Sequence, residues 1–489
     1  MGGVEKQGPA VPGKKPASEI LEGPDAKGRV WRIDGEPPKG SLKRFERGMK
    51  AFMSQNDFFG GTLAVVKDGR LVLARAYSLR HKSALLAEPI EVTSIFRIAS
   101  MSKPITCVGI YRLLEANKLK LTDKIQDILQ LEPPPDGSTI QQDNEPADPM
   151  TKGHYLHLVE VGHLMNHLGG WHPRGDGSVG EATFLKDVEI AQAFGHPLPV
   201  ADPWEIARWG ATQPMDFVPG KFVPGAADPD EWPYSNFGYL LLGLVLEKAS
   251  GMPYETAVKK GIFDRINTSR PRLTQTLKEN RNPGEVTYHL VPPDVGPSVM
   301  HEDGRDVPLQ YGFENNRNFA GFGGWALAAV DHARFLAEIG KPENGLIDTP
   351  AEDLPVWAKE TLTGGVTVFR HGGGIPGSQG DADCRSDGIT FVAIFNCTLS
   401  GLGKPDNTFT FEGTTYDDHR PMWHDIANTI DPDDWPPQLD LFPRYFQRKV
   451  TLVPDPPRVV IPRLEQPRFA KIDFRENLGL KSPTRPRPN

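Results

Sequence analysis

Cysteine is scarce in this chain. Three residues among 489 (Cys107, Cys384, Cys397) cannot form a disulfide framework, and none stands in the CxxC spacing of a structural zinc site. Long apolar runs are missing as well. The N-terminal stretch MGGVEKQGPAVPGKKPASE contains none, so neither a signal sequence nor a membrane span is expected. Gly2 invites a myristoylation reading, but Lys6 stands where that motif has Ser or Thr. The default location is therefore cytoplasmic, with a periplasmic or secreted one as the alternative. There is no basic excess either. A net charge of −8 and a pI near 5.9 argue against a nucleic-acid or anionic-membrane surface. What remains is a globular composition, 38% hydrophobic and 24% charged, long enough for a sizeable core and a preformed pocket. The length allows two or three domains or one large composite fold.

Residues 1–40, rich in Pro, Gly and Lys, read as a tail or surface arm. SLKRFERGMKAFMSQ has a helical pattern, and GTLAVVKDGRLVLARAYS reads as two strands around Lys67-Asp68-Gly69. In MSKPITCVGIYRLLEANKL, Cys107, Ile110, Tyr111 and Leu114 recur at helical spacing, with Ser100 at the N-terminal end of that helix. Residues 132–153 look like an inserted loop. Helical fragments alternate with Pro- and Gly-rich loops up to about residue 320, among them an apolar helix from Tyr239 to Ala249 closed at Gly251. VDHARFLAEIG reads as a further helix. VTVFRHGG and ITFVAIFNC look like paired strands, and HRPMWHDIANTI like a closing helix. Residues 432–489 hold 12 prolines in 58 positions, too many for a regular core, and are expected to wrap as an extension. The order suits an α+β fold: an antiparallel sheet drawn from both ends of a domain spanning 41–431, with a mostly helical region, roughly 107–320, inserted between.

Three short motifs occur in order: Ser100-Met101-Ser102-Lys103, Tyr234-Ser235-Asn236 and His371-Gly372-Gly373. A serine hydroxyl needs a base in contact and a place for the oxyanion. Positions i and i+3 share one helix face, which puts Lys103 beside Ser100. Burial disfavours the ammonium form, so such a lysine can act as a base, and a tyrosine beside it can relay a proton. The helix start offers backbone N–H groups, and a glycine-rich strand lets substrate approach main-chain amides. Taken singly, Ser100 reads best as a helix N-cap, Tyr234 as a helix-start aromatic and His371 as a satisfied strand histidine.

The contexts together resemble the serine β-lactamase and penicillin-binding-protein superfamily, in the branch holding class C β-lactamases, DD-peptidases, D-aminopeptidases and β-lactamase-like carboxylesterases. FRIASMSKPIT resembles its nucleophile segment and GKFVPGAADPDEWPYSNFGYLLLGLVLEKASG its YxN segment. GHLMNHLGGW and GGWALAAVDHARFL resemble two further family stretches, and the likeness covers roughly residues 45–430. The resemblance implies a β-lactamase/transpeptidase-like fold and a cofactor-free, metal-free acyl transfer to a small-molecule acyl substrate. It makes Ser100 the nucleophile, Lys103 its neighbouring base and Tyr234 the general base or acid. Asn236 would hold the substrate acyl side or Lys103. His371 takes the place of the lysine that opens the KTG motif, followed by Gly373, and Gly374 would donate the second oxyanion N–H. Because the KTG lysine is missing and strand alternation turns Arg370 to the opposite face, a carboxylesterase for small to medium acyl esters is favoured. An amidase, D-amino-acid peptidase or β-lactamase is the alternative, and a non-catalytic scaffold or sensor a further one.

Two rivals come from the residues themselves. His154, His157, His163, His167 and His172 crowd together, but HLMNH lacks the Glu of HExxH and no third ligand is evident. The strings around Ser178 and Ser378 lack the first glycine of GxSxG. Trp171, Trp232 and Trp325 stand near the motifs and line an acyl pocket or pack the core.

Overall fold

Two stretches far apart in the chain build one sheet. In the computed structural model, residues 20–22, 28–80, 88–132, 146–172, 186–200, 202–226, 228, 231–341, 345–399, 408–446 and 458–461 are described. From the N-terminal side come β1 (Ile20–Glu22), β2 (Val30–Asp34), β3 (Gly60–Lys67) and β4 (Arg70–Arg80). The later stretch supplies β5 (Ala358–Thr361), β6 (Thr367–Ile375), β7 (Ser378–Arg385) and β8 (Ile389–Phe395). The order is β1-β2-β4-β3-β8-β7-β6-β5, antiparallel throughout, and the halves join where Leu63 faces Ala393 and Val65 faces Phe391. Asp68 and Gly69 close the β3–β4 hairpin with φ of 51° and 74°, the left-handed pair that a two-residue turn needs.

Two expectations are corrected here. Val30–Asp34 belongs to the sheet and not to a tail, because Trp31 and Ile33 alternate inward and are buried. VTVFRHGG and ITFVAIFNC do not pair with each other, since β7 lies between them. Its sequence SQGDADCR carries alternating charge that resembles a loop, yet those charges all find partners behind the sheet.

The central strands are buried on both faces. In front, Ala64, Val66, Val392 and Ile394 join the large core that holds α2 (Lys103–Glu115), α3 (Asn236–Ser250) and α4 (Ala329–Glu338). Behind, Leu63, Val65, Phe391, Ala393 and Phe395 pack under α1 (Lys43–Gln55) and α5 (His419–Asn428). Phe45 meets Phe391 at 5.6 Å and Phe52 meets Phe395 at 5.1 Å between ring centroids. Each large apolar side chain so buried contributes roughly 1.5–3 kcal/mol, which ties the chain's distant halves together. No helix among the described residues is long and apolar enough to cross a membrane.

Past residue 431, Leu441 N–H donates to Leu71 O at 2.8 Å, docking the chain on β4. Further on, Val459 N–H donates to Glu115 O at 2.7 Å, at the end of α2. Residues 1–19 of the expected tail, 133–145 of the expected loop and most of 447–489 lie outside the described residues.

Candidate active site

Ser100 sits on a single 3₁₀ turn, Ala99–Ser102, that runs straight into α2. Ala99 adopts φ 46°, a left-handed conformation uncommon for a residue with a Cβ. Neighbouring hydrogen bonds hold it: Ile98 N–H donates to Trp325 O at 3.0 Å and Trp325 N–H to Ser102 Oγ at 3.1 Å. Pro104 falls in the first turn of α2, where a missing N–H costs nothing. With about three residues per turn, 3₁₀ geometry lays Ser100 and Lys103 one above the other.

Lys103 Nζ is 2.9 Å from Ser100 Oγ, 2.8 Å from Asn236 Oδ1 and 3.1 Å from Phe322 O. The lysine is fully buried while Ser100 is half-buried. All three contacts are neutral, and burial pushes the ammonium well below its usual range. Tyr234 comes from the residue before the N-cap of α3. Ser235 caps the helix by accepting from Gly238 N–H at 3.0 Å, which leaves Asn236 as the first helical residue. The Lys103 nitrogen lies 4.6 Å from the Tyr234 ring centroid. Burial raises the Tyr234 phenol, partly offset by a hydrogen bond with the Ser100 side chain.

The third wall is β6. A Cβ on Gly373 would lie 2.2 Å from Ile98 O and 3.1 Å from Ser100 N, so only glycine lets this strand lie against the Ser100 turn. His371 is buried on the same face, 6.3 Å from Tyr234 between centroids, with Nδ1 2.7 Å from Gly372 O. Burial first, then the Lys103 charge, lowers it to about 3 and keeps it neutral. Arg370 alternates to the other face, opposite Asp383, and pairs with Glu360 at 2.7 Å.

The other named residues separate. Trp232 meets His167 edge-on at 4.5 Å beside Tyr234, whereas Trp171 and Trp325 are fully buried in the core. The histidines around 154–172 do not converge: His163 Nδ1 accepts from Glu160 N–H at the start of its own helix and His172 faces Glu231 at 3.1 Å. The metal-like group among the described residues is Asp381, Asp418 and His419, and Arg420 already occupies it at 2.6 Å from Asp418. Phe322 escaped sequence reasoning because its contribution is a carbonyl, which any residue type supplies; the only signal was its place immediately before the GGW stretch.

The Beta-lactamase family description matches residues 45–373. The chain belongs to the β-lactamase family. Penicillin-binding protein 4* of Bacillus subtilis (strain 168) is 26% identical over 212 residues, 42% of this chain and 36% of that protein. Esterase EstB of Burkholderia gladioli is 27% identical over 256 residues, 52% of this chain and 55% of that one. These matches therefore span about half or less of the relatives' own length. Among solved structures, the octameric penicillin-binding protein homologue from Pyrococcus abyssi is similar at a TM-score of 0.51 and 20% identity, over 73% of both chains. D-alanine carboxypeptidase AmpC from Burkholderia cenocepacia is similar at 0.51 and 15% identity, over 80% of this chain and 99% of that one. The fold is accordingly β-lactamase/transpeptidase-like, and the chain is of a serine hydrolase family with esterase and penicillin-binding relatives.

Proposed function

We propose that this protein is a carboxylesterase that works through an acyl-enzyme at Ser100. The observation that carries the reading is the set of three contacts around Lys103 Nζ. A neutral amine has two N–H bonds and one lone pair. Asn236 Oδ1 and Phe322 O take the two N–H bonds, which leaves the lone pair for the Ser100 hydroxyl. Lys103 is then the base that accepts the Ser100 proton as Oγ bonds to the acyl carbon. Tyr234, kept as a neutral phenol by burial, is the acid that gives its proton to the departing alkoxide and regains one from the Lys103 ammonium. Water then repeats the steps in reverse order on the acyl-enzyme, releasing the acid and restoring Ser100.

For the oxyanion, Ser100 N–H and Gly374 N–H are the donors. Pro376 and Gly377 form a two-residue turn closed by Ile375 and Ser378, so alternation directs the Gly374 N–H away from β7. It faces the edge that β5 leaves uncovered beyond Arg370.

The charge balance favours esters. The cation-bearing KTG position holds a neutral histidine, and Arg370 is engaged on the far face, so neither of these two residues offers a fixed cation to a substrate carboxylate. An amide or β-lactam substrate is the second reading, since penicillin-binding relatives share the family.

Mass-spectrometric labelling with a fluorophosphonate, beside turnover of p-nitrophenyl acetate, p-nitrophenyl butyrate and nitrocefin, tests the proposal. The expected result is label on Ser100, ester turnover, silent nitrocefin, and a loss of about 10³-fold or more in Ser100→Ala. Fast nitrocefin hydrolysis moves the assignment to a β-lactamase. Unlabelled protein with untouched esters leaves a binding or scaffold role.

A further inference from the structure

His167 lies in none of the three motifs, yet it is stacked directly on Tyr234. It stands just past the short helix Val161–Met165 with φ 60°, a left-handed conformation, and is fully buried. Its Nδ1 accepts the Ser235 N–H at 2.9 Å, which puts the ring proton on Nε2. Ser235 is the residue between Tyr234 and Asn236, so this one hydrogen bond pins the turn that aims both side chains at Lys103. The imidazole also lies nearly flat on the Tyr234 ring, 4.6 Å away at 26°, with Trp232 edge-on at 4.5 Å on the imidazole and Tyr239 at 4.9 Å. Burial, then the nearby Lys103, lowers His167 well below its ordinary range, so it stays neutral and relays no proton itself.

We infer that His167 is a positioning residue for proton delivery: its ring face and its Nδ1 together fix the Tyr234 hydroxyl where the leaving group departs. This rests on the reading of Ser100, Lys103 and Tyr234 as an acyl-transfer site. Proton delivery matters little for p-nitrophenolate, which leaves unaided, and greatly for an alkoxide from an alkyl ester. The ratio of kcat/KM for ethyl butyrate to kcat/KM for p-nitrophenyl butyrate therefore reports Tyr234 placement. General packing damage would lower both alike.

His167→Asn keeps an acceptor near Ser235 N–H and tolerates the left-handed backbone, but removes the ring. It is expected to lower ethyl butyrate turnover about tenfold more than p-nitrophenyl butyrate, in kcat more than KM, while fluorophosphonate still labels Ser100. His167→Phe keeps a flat ring and removes the acceptor, with an expected displacement of the ratio by about threefold in the same direction. Labelling of Ser100 shows which variant is folded. In that variant, equal losses on the two esters, or none, overturn the assignment. Ser100→Ala is assayed in parallel: if it keeps turnover, the acyl-enzyme reading falls and His167's role with it. If Ser100→Ala is dead and the ratio is unmoved, only the role given to His167 falls.

Discussion

The two faces of the sheet hold similar buried groups in opposite states. In front, Lys103, His167 and His371 are buried among neutral acceptors, and burial drives all three towards their uncharged forms. Behind, β7 turns Asp381 and Asp383 towards α5. There His419 lies 3.2 Å from Asp381 and 3.0 Å from Asp418, and His424 lies 3.0 Å from Asp383. Burial works against the His419 charge too, but the Asp418 and Asp381 carboxylates hold it up to about 9. Burial alone thus does not set the protonation state; a carboxylate within reach does. Lys103 can lose its charge because its contacts among the described residues are all neutral, whereas the back face holds a fastening.

Moving a carboxylate to the front should break this contrast most sharply. Asn236→Asp places one about 2.8 Å from Lys103 Nζ, judged from the present Asn236 contact. It is expected to hold Lys103 charged and lower kcat/KM at pH 7 about 100-fold or more. Activity should recover as pH rises, so the acid limb of a pH–rate profile with p-nitrophenyl butyrate moves upward. An unmoved limb would remove Lys103 from the role of base.

Removing a carboxylate from the back is the reverse experiment. Asp381→Asn strips His419 and Arg420 of a partner and should cost about 1–3 kcal/mol near neutral pH, read by urea unfolding. Turnover per folded molecule should not change. A selective loss of kcat would mean that the two faces are coupled.

The pH dependence of stability separates the faces again. His332 and His371 are lowered to about 3 by burial, so below about pH 6.5 the unfolded chain binds protons that the native one refuses. Stability is therefore lost as pH falls from there. His419 has the opposite sign: its contribution is complete below about pH 6.5 and is lost as pH rises through about 9. Thermal midpoints should decline on both sides of neutrality, and His419→Gln should flatten only the alkaline side.

The smallest effect is expected at His332. It is fully buried, and neither ring nitrogen has a hydrogen-bond partner among the described residues. His332→Leu should stabilise the protein by about 1 kcal/mol and weaken the acid-side decline. A destabilised variant would mean that this histidine serves a partner.

Much of the site was legible because its spacing is local. Ser100 and Lys103 share one turn, and Tyr234, Ser235 and Asn236 are consecutive at a helix cap, so their types and intervals survive without tertiary knowledge. Gly373 was legible as a glycine, though the atoms it makes room for, Ile98 O and Ser100 N, were not. Strand β7 was missed because its charges read as solvent-facing, when their partners lie more than 30 residues away on α5. Strand β2 was hidden by the Pro, Gly and Lys around a five-residue alternation.

By itself, then, the sequence determined which side chains are candidates for the site and the order in which they occur, because helical spacing and capping are properties of neighbouring residues. Tertiary structure alone decided that Lys103 meets two carbonyls and, among the described residues, no carboxylate, that His167 lies flat on Tyr234, and that Arg370 is held by Glu360. Desolvation and charge pairing are sums over residues far apart in the chain, and only the packed fold brings those terms together.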